Sequence, residues 1–139
     1  MISLTRRYRF ASSHRLHSTM LSESENALEY GKCNNPYGHG HDYALEVTVS
    51  GPVDEATGRV VSPGELESWV ASQVLRTFDH RDMNHDMAEF RDRVPTAENI
   101  AAVIGEMLRQ GWSDAFPGRR ITGIRIEETA RNSAELRPG

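Results

Sequence analysis

GKCNNPYGHGHDYALEVTVS, residues 31–50, changes character half-way along. Up to Gly40 it is built from Gly, Asn and Pro, the residues of turns. From residue 41 to 50 it alternates: Tyr43, Leu45, Val47 and Val49 against Ala44, Glu46, Thr48 and Ser50. A period of two over that length predicts a strand with one face on the core. His39 and His41 stand at its mouth. At i and i+2 in extended backbone they share one face, and Gly40 between them leaves room for a close approach.

Residues 2–14 alternate in the same way. Ile2, Leu4, Tyr8 and Phe10 have one parity, which runs on to Ser12 and His14. If these two strands pair antiparallel, the end of the first meets the start of the second. His14 then joins His39 and His41. Three imidazoles that leave a fourth position open are the pattern of a catalytic zinc site. Cys33, the one cysteine, is a further candidate ligand. It is equally a thiol beside the metal, with its pKa lowered so that it acts as base or nucleophile, or a small buried hydrophobe. Its neighbours Lys32, Asn34 and Asn35 are polar, which argues against burial.

The remaining segments frame these strands. Residues 15–40 keep no period and read as a long loop, with a helical turn near Glu23 to Leu28. Ser62-Pro63-Gly64-Glu65 reads as a capping box with proline at the first helical position. Leu66, Trp69, Val70, Val74 and Phe78 follow at helical spacing. Residues 79–95 are polar and irregular and begin with Asp79-His80, an acid beside an imidazole. Thr96 is a good N-cap, Glu98 suits a first turn, and Ile100, Val103, Ile104, Met107 and Leu108 form one stripe that Gly111 ends. Residues 121–128 read as a strand with Ile124 and Ile126 inward. Glu128 shares their parity, so it needs a donor pair, in a salt bridge or on a ligand. A last strand is expected over residues 133–137. The sum is an α+β domain over residues 1–139: an antiparallel four-stranded sheet with two helices on one face.

Composition narrows the class. With 139 residues and a net charge of −4, the protein has no basic field for nucleic acid. No apolar run nears the roughly 20 residues of a membrane helix. MISLTRRYRF lacks a signal-peptide core, and a single cysteine forms no disulfide framework. A cytoplasmic protein is expected.

FASSHRLHS, GKCNNPYGHGHDY, TGRVV, FDHRDMN, PTAENIA and EETARNS occur in this order. Together they resemble the 6-pyruvoyl-tetrahydropterin synthase family nearly end to end. The resemblance implies the tunnelling fold (T-fold), with trimeric barrels stacked as a homohexamer and sites at subunit interfaces. It implies a pterin triphosphate substrate, 7,8-dihydroneopterin triphosphate, which loses triphosphate as its side chain rearranges. Residue by residue it implies Zn2+ on His14, His39 and His41, a catalytic thiol at Cys33, and a proton relay through Asp79 and His80. It implies that Glu128 holds the pterin ring and that Thr96 and Glu98 form a substrate-side turn. His17 and His85 are read as surface or supporting residues. The six-residue interval from Cys33 to His39 is like that of the 6-pyruvoyl enzymes. The alternative is the related 6-carboxy-tetrahydropterin synthase of deazapurine (queuosine) biosynthesis, whose pattern has an interval of four. A non-catalytic zinc and pterin module would need neither Cys33 nor Asp79-His80. A zinc hydrolase would need a carboxylate base of the H-E-x-x-H kind, which is missing here.

Overall fold

The computed structural model describes residues 1–137. β1 (Ile2–His14) and β2 (His39–Gly51) pair antiparallel along their whole length, from Ile2 opposite Gly51 to His14 opposite His39. A two-residue strand, β3 (Arg81–Asp82), runs parallel to β1 at Ser12 and Ser13. β4 (Arg120–Thr129) pairs antiparallel with β2, and β5 (Asn132–Leu136) pairs antiparallel with β4. The sheet order is β3-β1-β2-β4-β5. The four expected antiparallel strands are all present, and the parallel β3 makes the sheet mixed and five-stranded. Arg81–Asp82 is too short and too polar to carry a period. Tertiary bonds hold it: Ser12 Oγ donates to the Arg81 carbonyl at 2.8 Å, and the His80 N–H donates to the Ala11 carbonyl at 2.6 Å.

The stretch between β1 and β2 is more ordered than its composition suggests. It holds α1 (Glu23–Tyr30) and a 3₁₀ turn over Gly31–Asn34. Here the reciprocal capping box lies at Ser22 and Glu25, whose side chains each bond the other's backbone N–H. At Ser62 the structure has only the forward half, with Ser62 Oγ accepting from the Glu65 N–H at 3.3 Å. Asn26 is fully buried in α1. Its amide reaches the carbonyls of Ser18, Leu21 and Ser22, and its Oδ1 accepts from the Ser18 N–H. Asn26 thus replaces the backbone pairing the stretch would otherwise lack.

α2 (Pro63–Val70) runs on through a π-helical segment, Ala71–Leu75, and a last turn, Arg76–Phe78. Two short helices, α3 (Met83–Asp86) and α5 (Trp112–Ala115), flank the long α4 (Ala97–Arg109), and neither has a period long enough to read. α2 and α4 cover one face of the sheet. Leu66, Val70, Val74 and Phe78 meet Ile100, Val103, Ile104 and Leu108 above Phe10, Leu45, Val47, Ile124 and Ile126. Burying a residue of this kind is worth about 1.5–3 kcal/mol, and this cluster is the core. Trp69 Nε1 and Gln73 Nε2 donate to the carbonyls of Leu108 and Met107, tying the two helices together. Gly105 lets α4 sit low on the sheet, since a Cβ there would meet Leu136 Cδ2 at 2.6 Å. The opposite face is polar. Arg7, Glu46 and Arg125 lie side by side on three strands, and Glu127 bonds both arginines. Among the described residues no helix is long and apolar enough to cross a membrane.

Candidate active site

The register explains the site. His14 is opposite His39, and Ser12 is opposite His41. All three imidazoles lie on the helix-covered face, at the end of the sheet where β1 leaves and β2 enters. One ring nitrogen from each lies within 4.8 Å of the other two. Gly38 makes the entry possible. Its φ is +72°, and a Cβ there would stand 3.0 Å from the His14 carbonyl oxygen, so only glycine brings the backbone in this close.

The triad suits a cation. His14 is completely buried, and its Nδ1–H donates to the Pro95 carbonyl at 2.8 Å. That bond fixes the tautomer and leaves the Nε2 lone pair facing His39 and His41. His14 Nε2 and His41 Nε2 are buried with no hydrogen-bond partner. Two orphaned acceptors side by side are costly unless something positive sits between them. Burial lowers His14 from 6.5 to about 4 and also lowers His41, so both are neutral, as metal ligands must be.

This has a measurable consequence. In metal-stripped protein, the unfolded state takes up a proton at His14 near pH 6.5, while the folded state resists until about 4. Stability from this group is therefore whole above pH 6.5 and is lost as pH falls toward 4, by up to about 3 kcal/mol. His41 adds in the same direction. Urea denaturation of the chelator-treated protein at pH 7 and pH 5 measures it, and equal midpoints would overturn it.

Three other groups converge on the triad. The Glu128 carboxylate arm is only 8% exposed, with oxygens 3.9 Å from His14 Nε2 and 3.9 Å from His41 Nε2. Pairing of β4 with β5 shifts register between Glu127 and Thr129, so Glu128 occupies a bulge. Bulges re-aim side chains in this way beside sites. Tyr43 is fully buried, its hydroxyl 3.4 Å from Glu128 Oε2 and 3.4 Å from His14 Nδ1. Because His14 Nδ1 already donates to Pro95, the tyrosine proton points to Glu128. Burial, then Glu128, raises the Tyr43 hydroxyl. Cys33 is half-buried in the 3₁₀ turn, which is clamped to the strand end: Leu16 N–H donates to the Cys33 carbonyl, and Asn34 Nδ2 to the Leu16 carbonyl. Burial and the Glu128 carboxylate push the Cys33 thiol up, not down, so the protein alone does not make it a thiolate.

A family model described as 6-pyruvoyl tetrahydropterin synthase matches residues 3–139. A 6-pyruvoyl tetrahydrobiopterin synthase of Poecilia reticulata is 42% identical over 93% of this chain and 85% of its own. A solved structure of Caenorhabditis elegans 6-pyruvoyl tetrahydropterin synthase superposes with a TM-score of 0.90 at 36% identity, covering 99% of this chain and 96% of that one. The chain belongs to the 6-pyruvoyl tetrahydropterin synthase family. It is thus one of a family of enzymes, and its fold is that of the family's solved members. A putative 6-carboxy-5,6,7,8-tetrahydropterin synthase of Archaeoglobus fulgidus is more distant, at 30% identity over 86% of this chain and 91% of its own.

Of the residues singled out in this family member, the fold gathers His14, His39, His41, Cys33 and Glu128. Asp79 and His80 make no bond to that group. His80 Nδ1 is 3.1 Å from Asp79 Oδ1, and Asp79 Oδ1 accepts from the Ala11 N–H at 2.9 Å. His80 is 82% exposed and lines a cavity on the β3 side with Ala11, Ser13, Asp42 and the triad's His41. Among the described residues no hydrogen bond or ion pair joins this couple to Cys33. His80 also holds a φ of +61°, uncommon for a residue other than glycine. Thr96 caps α4 by accepting from the Asn99 N–H at 3.2 Å, and Glu98 is exposed on the first turn. His17 supports the Asn34 clamp at 3.1 Å, and His85 is an exposed partner of Asp82. Tyr43 and the Pro95 carbonyl are members of the site that sequence reasoning missed. Tyr43 shares the parity of His39 and His41, a signal that was open to use. A backbone carbonyl leaves none.

Proposed function

We propose that this protein is a zinc-dependent 6-pyruvoyl-tetrahydropterin synthase, converting 7,8-dihydroneopterin triphosphate to 6-pyruvoyl-tetrahydropterin with loss of triphosphate. The observation that carries this is the imidazole triad, in which burial holds His14 and His41 neutral and leaves their Nε2 atoms without partners, with a thiol and a buried carboxylate beside it. His14, His39 and His41 would hold Zn2+. Bound there, the ion would polarise the hydroxyls of the substrate's side chain and offset the burial and charge that keep Cys33 protonated. Cys33 would then take a proton from the carbon bearing one of those hydroxyls. His80 would return one on another face, and Asp79 would hold the charged imidazole.

Placement of the carboxylates refines the expected roles. A pterin carries its 2-amino group at the far end of the ring from the reacting carbons. A carboxylate 3.9 Å from two triad nitrogens meets the reacting end. We therefore assign Glu128 to that end. The ring's donor pair is assigned to Glu98, exposed on the turn that Thr96 caps and that Pro95 ties to His14. Within one protomer no hydrogen bond or ion pair joins Asp79 or His80 to Cys33 among the described residues, which favours a site completed by another copy. A homohexamer of two trimeric barrels, cytoplasmic, fits that requirement, and a stable monomer in light scattering would overturn it.

Turnover of 7,8-dihydroneopterin triphosphate with identification of the product is the deciding experiment. We expect 6-pyruvoyl-tetrahydropterin and triphosphate. A 6-carboxy product would move the protein to the queuosine branch, and binding without turnover would leave a pterin-binding module.

A further inference from the structure

A second polar cavity opens beside the strand end that carries His14. Its volume is about 700 Å³, and Arg15, His17, Asn84, His85, Arg91 and Arg93 line it. Asp92 is the one acid among its described lining residues. Three arginines against one carboxylate reverse the sign of a protein whose net charge is −4. The reversal is local and faces a concave surface.

The cavity borders the triad along two segments. Arg15 follows His14 directly. Asn84 clamps its backbone from both sides, Oδ1 accepting from the Arg15 N–H at 2.7 Å and Nδ2 donating to its carbonyl at 2.9 Å. Arg15 Nε donates to the Asn34 carbonyl at 3.0 Å, which aims the guanidinium. Val94 lines the other side, next to the Pro95 carbonyl that orients His14. Arg93 is steadied by Glu106 at 3.1 Å, and the Arg91 side chain takes no hydrogen bond or ion pair among the described residues. The reactive cluster itself, with Cys33, Tyr43, Glu128 and three histidines, holds no lysine or arginine. A polyanion therefore finds no guanidinium or ammonium partner there and would meet Glu128.

We propose that this cavity is a polyphosphate subsite, which takes the triphosphate tail of the substrate and holds it as the bond from carbon to the bridging phosphate oxygen breaks and the electron pair leaves with the triphosphate. This rests on the reaction proposed above. Guanidinium groups match phosphate oxygens two bonds at a time, which suits a leaving group whose charge grows on departure.

The test uses the zinc-loaded full-length protein and inorganic tripolyphosphate as probe, in titration calorimetry. The wild-type protein should bind it, more weakly as salt is raised. Arg91→Gln together with Arg93→Gln should weaken that binding about 10–100-fold and raise KM for the triphosphate substrate by a similar factor, as expected for lost charge-assisted bonds. Zinc content, the circular dichroism spectrum and binding of triphosphate-free dihydroneopterin should stay as in wild type. Arg91→Gln alone serves as a second variant that breaks no described contact. Unchanged tripolyphosphate binding in the double variant overturns the subsite, and so does an equal loss of dihydroneopterin binding. Arginine-dependent tripolyphosphate binding in a wild-type protein that never turns the substrate over upholds the subsite and overturns the reaction instead.

Discussion

A His39→Ala, His41→Ala variant should purify without zinc, whereas the wild-type protein should carry about one per protomer. The sheet should survive, because both positions lie at the start of β2 and neither is among the fully buried core residues. Activity should fall below detection, since the ion's place and the contacts to the substrate's hydroxyls disappear together. His14 alone cannot keep the site: one buried neutral imidazole is a single ligand where a catalytic zinc needs three. Metal analysis of the purified variant checks this directly. Full zinc content in the double variant would sink the triad as the metal site, and with it the chemistry built on it. Loss of zinc with undiminished turnover would instead keep the site and remove its role.

Cys33→Ala should behave differently. The thiol is held near the triad by the backbone of its own turn, through the Leu16 and Asn34 bonds, and those bonds do not need the sulfur. Zinc and fold should remain, and the rate should fall by roughly 10²–10⁴, the usual size of a proton-transfer contribution. Loss of zinc would make Cys33 a ligand. Unchanged turnover would make it a bystander and leave His80 as the remaining acid–base group of the relay. Asp79→Ala should show a smaller loss of the same kind, because in the proposed relay it would act only by orienting His80, 3.1 Å away. Since burial and Glu128 raise the thiol, Glu128→Gln should make Cys33 easier to ionise in metal-free protein. The pH dependence of its alkylation reads that shift.

How much of this was legible beforehand depended on what each feature is made of. The triad was legible because period two fixes a face and antiparallel pairing fixes a neighbour, so His14 could be set against His39 and His41 from sequence alone. Glu128 was legible as an inward carboxylate by the same parity with Ile124 and Ile126. Its distance to the triad was not, because a bulge sets it, and the β4–β5 register shift leaves no mark in the composition. The fifth strand was hidden because two polar residues have no period, and α1 showed only as a helical turn near Glu23 to Leu28 because its one buried residue, Asn26, is polar. The π-helical segment after α2 was hidden for another reason: Leu66, Val70, Val74 and Phe78 keep a spacing of four straight through it. The separation of Asp79-His80 from Cys33 could not be read at all. Sequence order can list candidate members of a site but not the contacts between them.

That separation bears on inheritance. Suppose one allele encodes Cys33→Ala and another His80→Ala, each inactive when expressed alone. If another copy completes the site, as proposed, the two gene products, co-expressed and co-assembled, would build some sites from the intact Cys33 of one and the intact His80 of the other. Two null alleles would then yield a partly active enzyme, and the share of activity recovered would count the interfaces at which unlike protomers meet.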